Sequence, residues 1–135
     1  MPGVLINIDV PDIAAGEAFY TAALGLGTGR RMGDDFVELI GAPAPIYLIA
    51  QSAGTAIGPA AGGVRDYARH WSPVHLDFVV DDLDVAVDRA VAAGAVVEAP
   101  ARDAAYGRIA TLADPFGHGL CLIQFNDRGY DAIAT

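Results

Sequence analysis

The chain has 135 residues, enough for one domain with an apolar core and too few for two domains of ordinary size. Its formal net charge is −9, with eight arginines and no lysine, which argues against a nucleic-acid partner, because such a partner needs cations against its phosphates. The single cysteine, Cys121, excludes an internal disulfide and a zinc site built from several cysteines. No apolar run approaches the ~18 residues of a membrane span and no basic leader opens the chain, so we expect a cytoplasmic protein that binds no membrane.

The first half of the chain predicts a strand, a helix and three more strands. An alternating stretch, L-I-N-I-D-V, precedes an alanine-rich helical segment. Asp12 stands at the N-cap of that segment, where a side-chain oxygen accepts from free backbone N–H groups, and Gly25 supplies the permissive backbone at its end. The next three strands are predicted at Gly27–Arg31, Phe36–Ile40 and Ile46–Ala50.

The second half repeats this order. The stretch 75–94 has the same alternating strand, an N-cap acid at Asp82, a helix with an apolar stripe and a closing Gly94. Strands are predicted at 95–97, 108–112 and 120–125. The sequence therefore predicts an α+β fold of two βαβββ modules in a single domain, 1–135. The predicted boundaries are module one at 1–51, a linker rich in glycine and small residues at 52–72, module two at 73–126 and a tail at 127–135.

Alternation along the strands predicts which side chains lie away from the helices. In each module's first strand the wholly apolar side is expected to carry the helix. The other side carries Asn7 and Asp9 in module one and His75 and Asp77 in module two, and we expect this to be the concave side of a curled sheet.

Three stretches, 9–26, 74–95 and 106–124, resemble the vicinal oxygen chelate superfamily. The last of them contains an aromatic and glycine followed by D-P-F-G before the final strand. This group includes glyoxalase I, extradiol dioxygenases, and bleomycin- and fosfomycin-resistance proteins. The resemblance implies that the paired modules form a half-open barrel and that the protein is a homodimer.

The resemblance also implies where a metal would bind. Metal-dependent members place one ligand on the first and one on the last strand of each module, which here are Leu5, Tyr47, His75 and Cys121. Only His75 is an ordinary ligand of the family, and transition-metal sites need about three converging protein ligands. We therefore expect no complete metal site, with His75 as the contributor if one exists. A displaced set of His75, Asp77 and Cys121 stays open, although one pleat moves a ligand roughly 6–7 Å along a strand.

We expect the concave side to bind a small organic molecule without a cofactor. The residues predicted to line that cavity are Asn7, Tyr47, His75, Asp77, Tyr106 and Cys121. Several have a structural alternative, since a histidine or tyrosine can serve packing alone and Cys121 can be a small buried hydrophobe. Two enzyme functions also stay open: a metal-dependent lyase, isomerase or dioxygenase, and a metal-free enzyme that uses His75 or Asp77 as a general base.

Overall fold

The structure is a computed structural model that describes residues 1–60 and 62–135. The chain divides into two compact units, Met1–Ala68 and Arg69–Thr135, which we call the first and the second unit. Each unit contains a strand, a helix and three further strands, so the predicted α+β fold of two βαβββ modules is confirmed. Within the described residues, every helix is too short or too polar to cross a bilayer.

The first unit consists of β1 (Ile6–Val10), α1 (Ile13–Leu24), β2 (Gly27–Arg31), β3 (Phe36–Ile40) and β4 (Ile46–Ala50). Its four strands form one sheet in the order β1-β4-β3-β2, in which β1 and β4 are parallel and the other neighbours are antiparallel. The helix begins where the sequence predicts, because the Asp12 carboxylate accepts from the backbone N–H of Ala15 at 2.8 Å. It ends at Gly25, whose φ of 67° is left-handed.

The second unit repeats this topology with a shorter first strand and three longer ones. Its elements are β5 (Leu76–Val79), α2 (Leu83–Ala93), β6 (Val96–Ala104), β7 (Gly107–Ala113) and β8 (Gly119–Phe125), in the sheet order β5-β8-β7-β6. Asp82 caps α2 by accepting from the N–H of Val85 at 3.1 Å. A short 3-10 helix, Gly129–Ala132, lies in the stretch predicted as a tail, and its Tyr130 ring packs 4.8 Å from that of Phe125.

Each helix covers one face of its own sheet, and the core of each unit lies between that unit's helix and its sheet. Gly16 of α1 packs so closely that a Cβ there would come within 3.1 Å of Val10. In the second unit Leu83 of α2 and Leu122 of β8 are fully buried on the corresponding side. Strand alternation turns the remaining side chains of each sheet away from its helix, and we call that side the helix-free face.

The stretch predicted as a linker is divided between the two units. Arg65 donates to Asp9 at 2.8 Å and the Tyr67 hydroxyl donates to the carbonyl of Gln51 at 2.6 Å, so this part packs on the first unit. From Arg69 onward the chain belongs to the second unit.

Candidate functional site

Polar side chains form a row across the helix-free face of the second sheet. The strand register pairs Asp77 of β5 with Cys121 of β8, and Cys121 with Thr111 of β7. Arg102 of β6 donates to Thr111 Oγ1 at 3.3 Å, which extends the row to the fourth strand. His75 joins at the other end. We call these five residues the polar row.

His75 and Asp77 lie against each other at the β5 end of the polar row. His75 Nε2 is 3.2 Å from Asp77 Oδ1, and the two side chains are 40% and 33% exposed. The donor atoms of His75, Asp77 and Cys121 all lie within 4.8 Å of one another. The side chains thus close the pleat offset of about 6–7 Å between neighbours on one strand face. The set that the sequence left open is brought together by the fold.

Cys121 is a neutral thiol in this setting. Burial raises the pKa of the Cys121 thiol, the hydrogen bond with Thr111 lowers it in part, Asp77 raises it further, and the charge of Arg102 lowers it least, so that the net direction is upward. Thr111 Oγ1 lies 3.6 Å from the sulfur. A thiol held in its protonated form is a weak nucleophile, so the polar row does not carry an activated cysteine.

The same three donors decide whether this chain could hold the metal ion that the family resemblance implies. Imidazole nitrogen, carboxylate oxygen and thiolate sulfur are all zinc ligands, and three protein donors match a zinc site that keeps one position open. A cation would have to displace the thiol proton of Cys121, so its binding would release a proton. His75, Asp77 and Cys121 therefore fit such an ion. When bound, a cation of this kind polarises an oxygen of the molecule beside it.

Trp71 forms a wall at the His75 end of the polar row. The indole and imidazole centroids are 5.1 Å apart with their planes tilted by 32°. Gly119 makes this position possible, because a Cβ there would lie 1.8 Å from two indole carbons. Trp71 nevertheless remains 48% exposed, which leaves ring surface available to a ligand.

The residues before Trp71 fix its position. The Arg69 guanidinium lies 5.1 Å from the indole centroid and is paired with Glu98 through two nitrogens. It also donates to the carbonyl of Gly117 at 3.1 Å, and the backbone N–H of His70 donates to the same oxygen at 3.0 Å. The His70 and His118 rings meet at 3.2 Å between nitrogens. These contacts bind the segment ahead of β5 to the turn ahead of β8.

An apolar strip lies beside the polar row, one pleat further along the strands. The register pairs Val79 of β5 with Ile123 of β8, and Ile123 with Ile109 of β7. Val79 is 65% exposed, whereas Ile123 is 1% exposed, so the accessible apolar surface of this strip lies at its β5 end. The helix-free face of the second sheet therefore offers an apolar surface next to directional polar groups, which is the usual composition of a small-molecule site.

The first sheet has different side chains at the positions that correspond to the polar row. Asn7 pairs with Tyr47, and Tyr47 with Glu38. The Glu38 carboxylate accepts from Arg30 Nη2 at 2.6 Å, from Arg30 Nε at 3.0 Å and from the Tyr47 hydroxyl at 2.8 Å. The Arg30 hydrogen bonds, then that of Tyr47, lower the pKa of Glu38 to about 2. Tyr47 thus already has an internal partner, while Asn7 is exposed beside it.

Tyr106 lies elsewhere in the second unit. It sits at the turn between β6 and β7, where its ring is 6.4 Å from Phe125 and 5.3 Å from Tyr130. Phe125 is four residues beyond Cys121 along β8, about 13 Å at the rise of a strand. Of the six residues predicted to line one cavity, the structure thus brings together His75, Asp77 and Cys121 in the second unit, and Asn7 and Tyr47 in the first.

The sequence reasoning missed Thr111, Arg102 and Glu38. A signal existed for Glu38, which is the one charge inside the apolar strand F-V-E-L-I. Thr111 also interrupts an apolar strand, but Arg102 stands in a mixed stretch with no pattern that distinguishes it. Its place in the row depends on the pairing of β6 with β7.

Comparison with known proteins identifies the family. The model of the glyoxalase-like domain family matches residues 5–123. The chain belongs to this family. The resemblance to the vicinal oxygen chelate superfamily is thereby confirmed.

Two curated relatives are named as anthracycline biosynthesis proteins. The chain is 36% identical over 131 residues to the anthracycline biosynthesis protein DnrV of Streptomyces peucetius, covering 96% of this chain and 43% of DnrV. It is 34% identical over 134 residues to the anthracycline biosynthesis protein DauV of Streptomyces sp. (strain C5), with the same coverage. The chain therefore spans less than half the length of these relatives.

Solved structures share the fold at low sequence identity. A glyoxalase/bleomycin resistance protein/dioxygenase family enzyme from Burkholderia phytofirmans PsJN has a TM-score of 0.67 and 23% identity, covering 90% of this chain and 97% of that one. The fosfomycin resistance protein FosX of Listeria monocytogenes, in complex with Mn(II) and 1S,2S-dihydroxypropylphosphonic acid, has a TM-score of 0.71 and 16% identity, covering 95% and 94%. These likenesses establish the fold and no shared activity.

Proposed function

We propose that the protein binds a small, planar organic molecule on the helix-free face of the second sheet. The observation that carries this proposal is the combination, on one face, of an exposed indole, an apolar strip and a polar row. Trp71 offers a stacking surface, the exposed Val79 side chain offers apolar area that a ligand would bury, and the polar row fixes orientation through hydrogen bonds. The binding itself requires no metal.

The relatives suggest which class of molecule to try first. Two proteins that share a third of their residues with this chain are named for anthracycline biosynthesis. Anthracyclines are oxygenated polycyclic aromatic compounds, whose flat rings suit Trp71 and whose oxygens suit the polar row. Hydroxylated anthraquinones are therefore the first probes.

A probe panel tests the proposal directly. Hydroxyanthraquinones should raise the melting temperature of the wild-type protein and shift the amide resonances of Trp71, Asp77 and Cys121. Trp71→Ala should weaken binding about fivefold or more, because aromatic stacking contributes about 1 kcal/mol beyond area burial. Tyr130→Ala is the matched control, since Tyr130 is an exposed aromatic at the far end of β8. The proposal is wrong if no probe binds, or if Trp71→Ala binds as tightly as the wild type.

A second function, metal-assisted chemistry, is favoured by one specific observation. The donor atoms of His75, Asp77 and Cys121 lie within 4.8 Å of one another. In the metal-assisted reading these residues hold a divalent ion, and the chain's own groups orient a ligand oxygen toward it.

Cobalt titration separates the two functions. A stoichiometric Co²⁺ site should show a thiolate-to-cobalt charge-transfer band in the near ultraviolet that Cys121→Ser abolishes and His75→Ala weakens. His118→Ala provides the control, because His118 lies outside the three-donor set. Absence of the band, together with substoichiometric metal by elemental analysis, removes the metal-assisted function and leaves the binding function intact.

A further inference from the structure

Arg102 lacks the carboxylate partner that most arginines of this chain have. Five of the eight arginines form such pairs, Arg30–Glu38, Arg31–Glu17, Arg65–Asp9, Arg69–Glu98 and Arg108–Asp84. Arg102 is exposed, and within the described residues its side chain donates only to the Thr111 hydroxyl and has no carboxylate at ion-pair distance.

The first unit has a carboxylate at the position that corresponds to Thr111 in the second unit. Glu38 and Thr111 occupy corresponding positions, because each pairs with the central residue of its row, Tyr47 or Cys121. In the first unit an arginine from β2 is neutralised by Glu38. In the second unit an arginine from β6 meets a hydroxyl instead, so its positive charge remains uncompensated on the helix-free face.

We propose that Arg102 and the Thr111 hydroxyl bind an anionic oxygen, a carboxylate or an ionised phenol, of the molecule held on this face. The inference rests on the proposed binding function and specifies the charge of the ligand. A guanidinium presents five N–H donors in a planar fork, of which one is used by Thr111. The remaining donors match the two oxygens of a carboxylate, with charge-assisted hydrogen bonds.

The distribution of charge along the polar row orients the ligand. Asp77 is negative at the β5 end and Arg102 is positive at the β6 end, so an anionic group is repelled from one end and attracted to the other. Four strands separate the ends by about 14 Å at ordinary strand spacing. A ligand that also stacks on Trp71 is therefore elongated, with its anionic group at the end farther from the indole.

The test uses two probes that differ in charge and not in ring area: anthraquinone-2-carboxylate and anthraquinone-2-carboxamide. The dissociation constant of each is measured for wild type, Arg102→Gln and Arg89→Gln. Arg89 is the matched control, an exposed arginine on α2 outside the polar row. The wild type should bind the carboxylate about tenfold or more tightly than the amide, because hydrogen bonds to charged groups are the strong ones. Arg102→Gln should weaken carboxylate binding far more than amide binding and so remove this preference, and Arg89→Gln should retain it.

Thr111→Val provides a second, nearly isosteric variant in case Arg102→Gln disturbs folding, and it should reduce the preference for the carboxylate. Added sodium chloride should weaken carboxylate binding and leave amide binding unchanged. Equal binding of both probes to the wild type overturns the inference while the binding function stands. So does a preference that survives Arg102→Gln or, where that variant does not fold, one that is undiminished in Thr111→Val. If neither probe binds and no amide resonance of the face shifts, the binding function and the inference both fall.

Discussion

Equivalent positions on the helix-free faces of the two sheets carry different side chains with different hydrogen-bond partners. In the first, Glu38 is hydrogen-bonded by Arg30 and Tyr47, and these bulky side chains satisfy one another. In the second, the corresponding row holds the smaller Thr111 and Cys121, and its arginine, Arg102, has no carboxylate partner among the described residues.

This difference locates the candidate function in the second unit. A face whose donors and acceptors are already paired gains little by binding a ligand, because each new hydrogen bond replaces an existing one. The second face has smaller side chains, an exposed Trp71 and an unneutralised Arg102. The helix-packed faces, by contrast, are both apolar and buried, since the fold requires that of each module.

The largest expected effect tests the equivalence of the helix-packed faces. Leu48 and Leu122 are both fully buried at matching positions of β4 and β8. Leu48→Ala and Leu122→Ala should each lower the free energy of unfolding by about 3 kcal/mol, measured in urea, since each leaves a cavity in a packed core. Val79→Ala, at an exposed site, should cost less than about 0.5 kcal/mol. A large inequality between the two leucines would show that the modules differ in their cores as well.

The second prediction concerns the acid stability that Glu38 confers on the first unit. Its pKa is lowered to about 2 from 4.5, so the folded state favours the ionised carboxylate. The stabilisation is fully present above pH 4.5 and is lost as the pH falls toward 2. Glu38→Gln should therefore lower the urea midpoint at pH 7, and the difference from wild type should shrink as the pH falls through this window. A difference that is independent of pH would contradict the assigned ion pair.

A third prediction transfers the first unit's arrangement to the second. Thr111→Glu places a carboxylate beside Arg102, as Glu38 stands beside Arg30. The variant should fold normally and should lose the roughly tenfold preference for an anionic probe, because the guanidinium is then internally neutralised. Thr111→Gln, similar in size and uncharged, separates the charge effect from crowding. If Thr111→Glu still prefers the carboxylate, the cation that attracts it is not Arg102.

The fold could be predicted because its signals are local. Helix α1 is bounded by an N-cap aspartate and a closing glycine, and α2 repeats the pattern. Strand alternation correctly separated Leu76 and Phe78, which pair with residues of the buried face, from Asp77. Such features depend on neighbours in sequence, so one chain suffices to find them.

The site could be predicted only in part because it depends on register. The family's ligand positions suggested His75 as the partner of Cys121, yet the sheet pairs Asp77 with Cys121 and leaves His75 one pleat away. Arg102 and Thr111 meet across β6 and β7, where the register shifts twice. Cross-strand partners are set by turns and bulges distributed over the whole unit, which a single sequence does not display.

The smallest expected effect is on the alkylation rate of Cys121, which reports the electrostatic field at the centre of the second sheet's helix-free face. Burial and the charge of Asp77 raise the pKa of the Cys121 thiol, and the charge of Arg102 lowers it. Asp77→Asn should therefore speed alkylation of Cys121 by iodoacetamide at mildly alkaline pH, and Arg102→Gln should slow it, since the thiolate is the reactive form. Both variants leave the buried position of the sulfur unchanged, so a change in rate reports the thiolate population. Identical rates in the three proteins would mean that Asp77 and Arg102 exert no field at Cys121, and the charge-directed orientation of a ligand along the polar row would lose its basis.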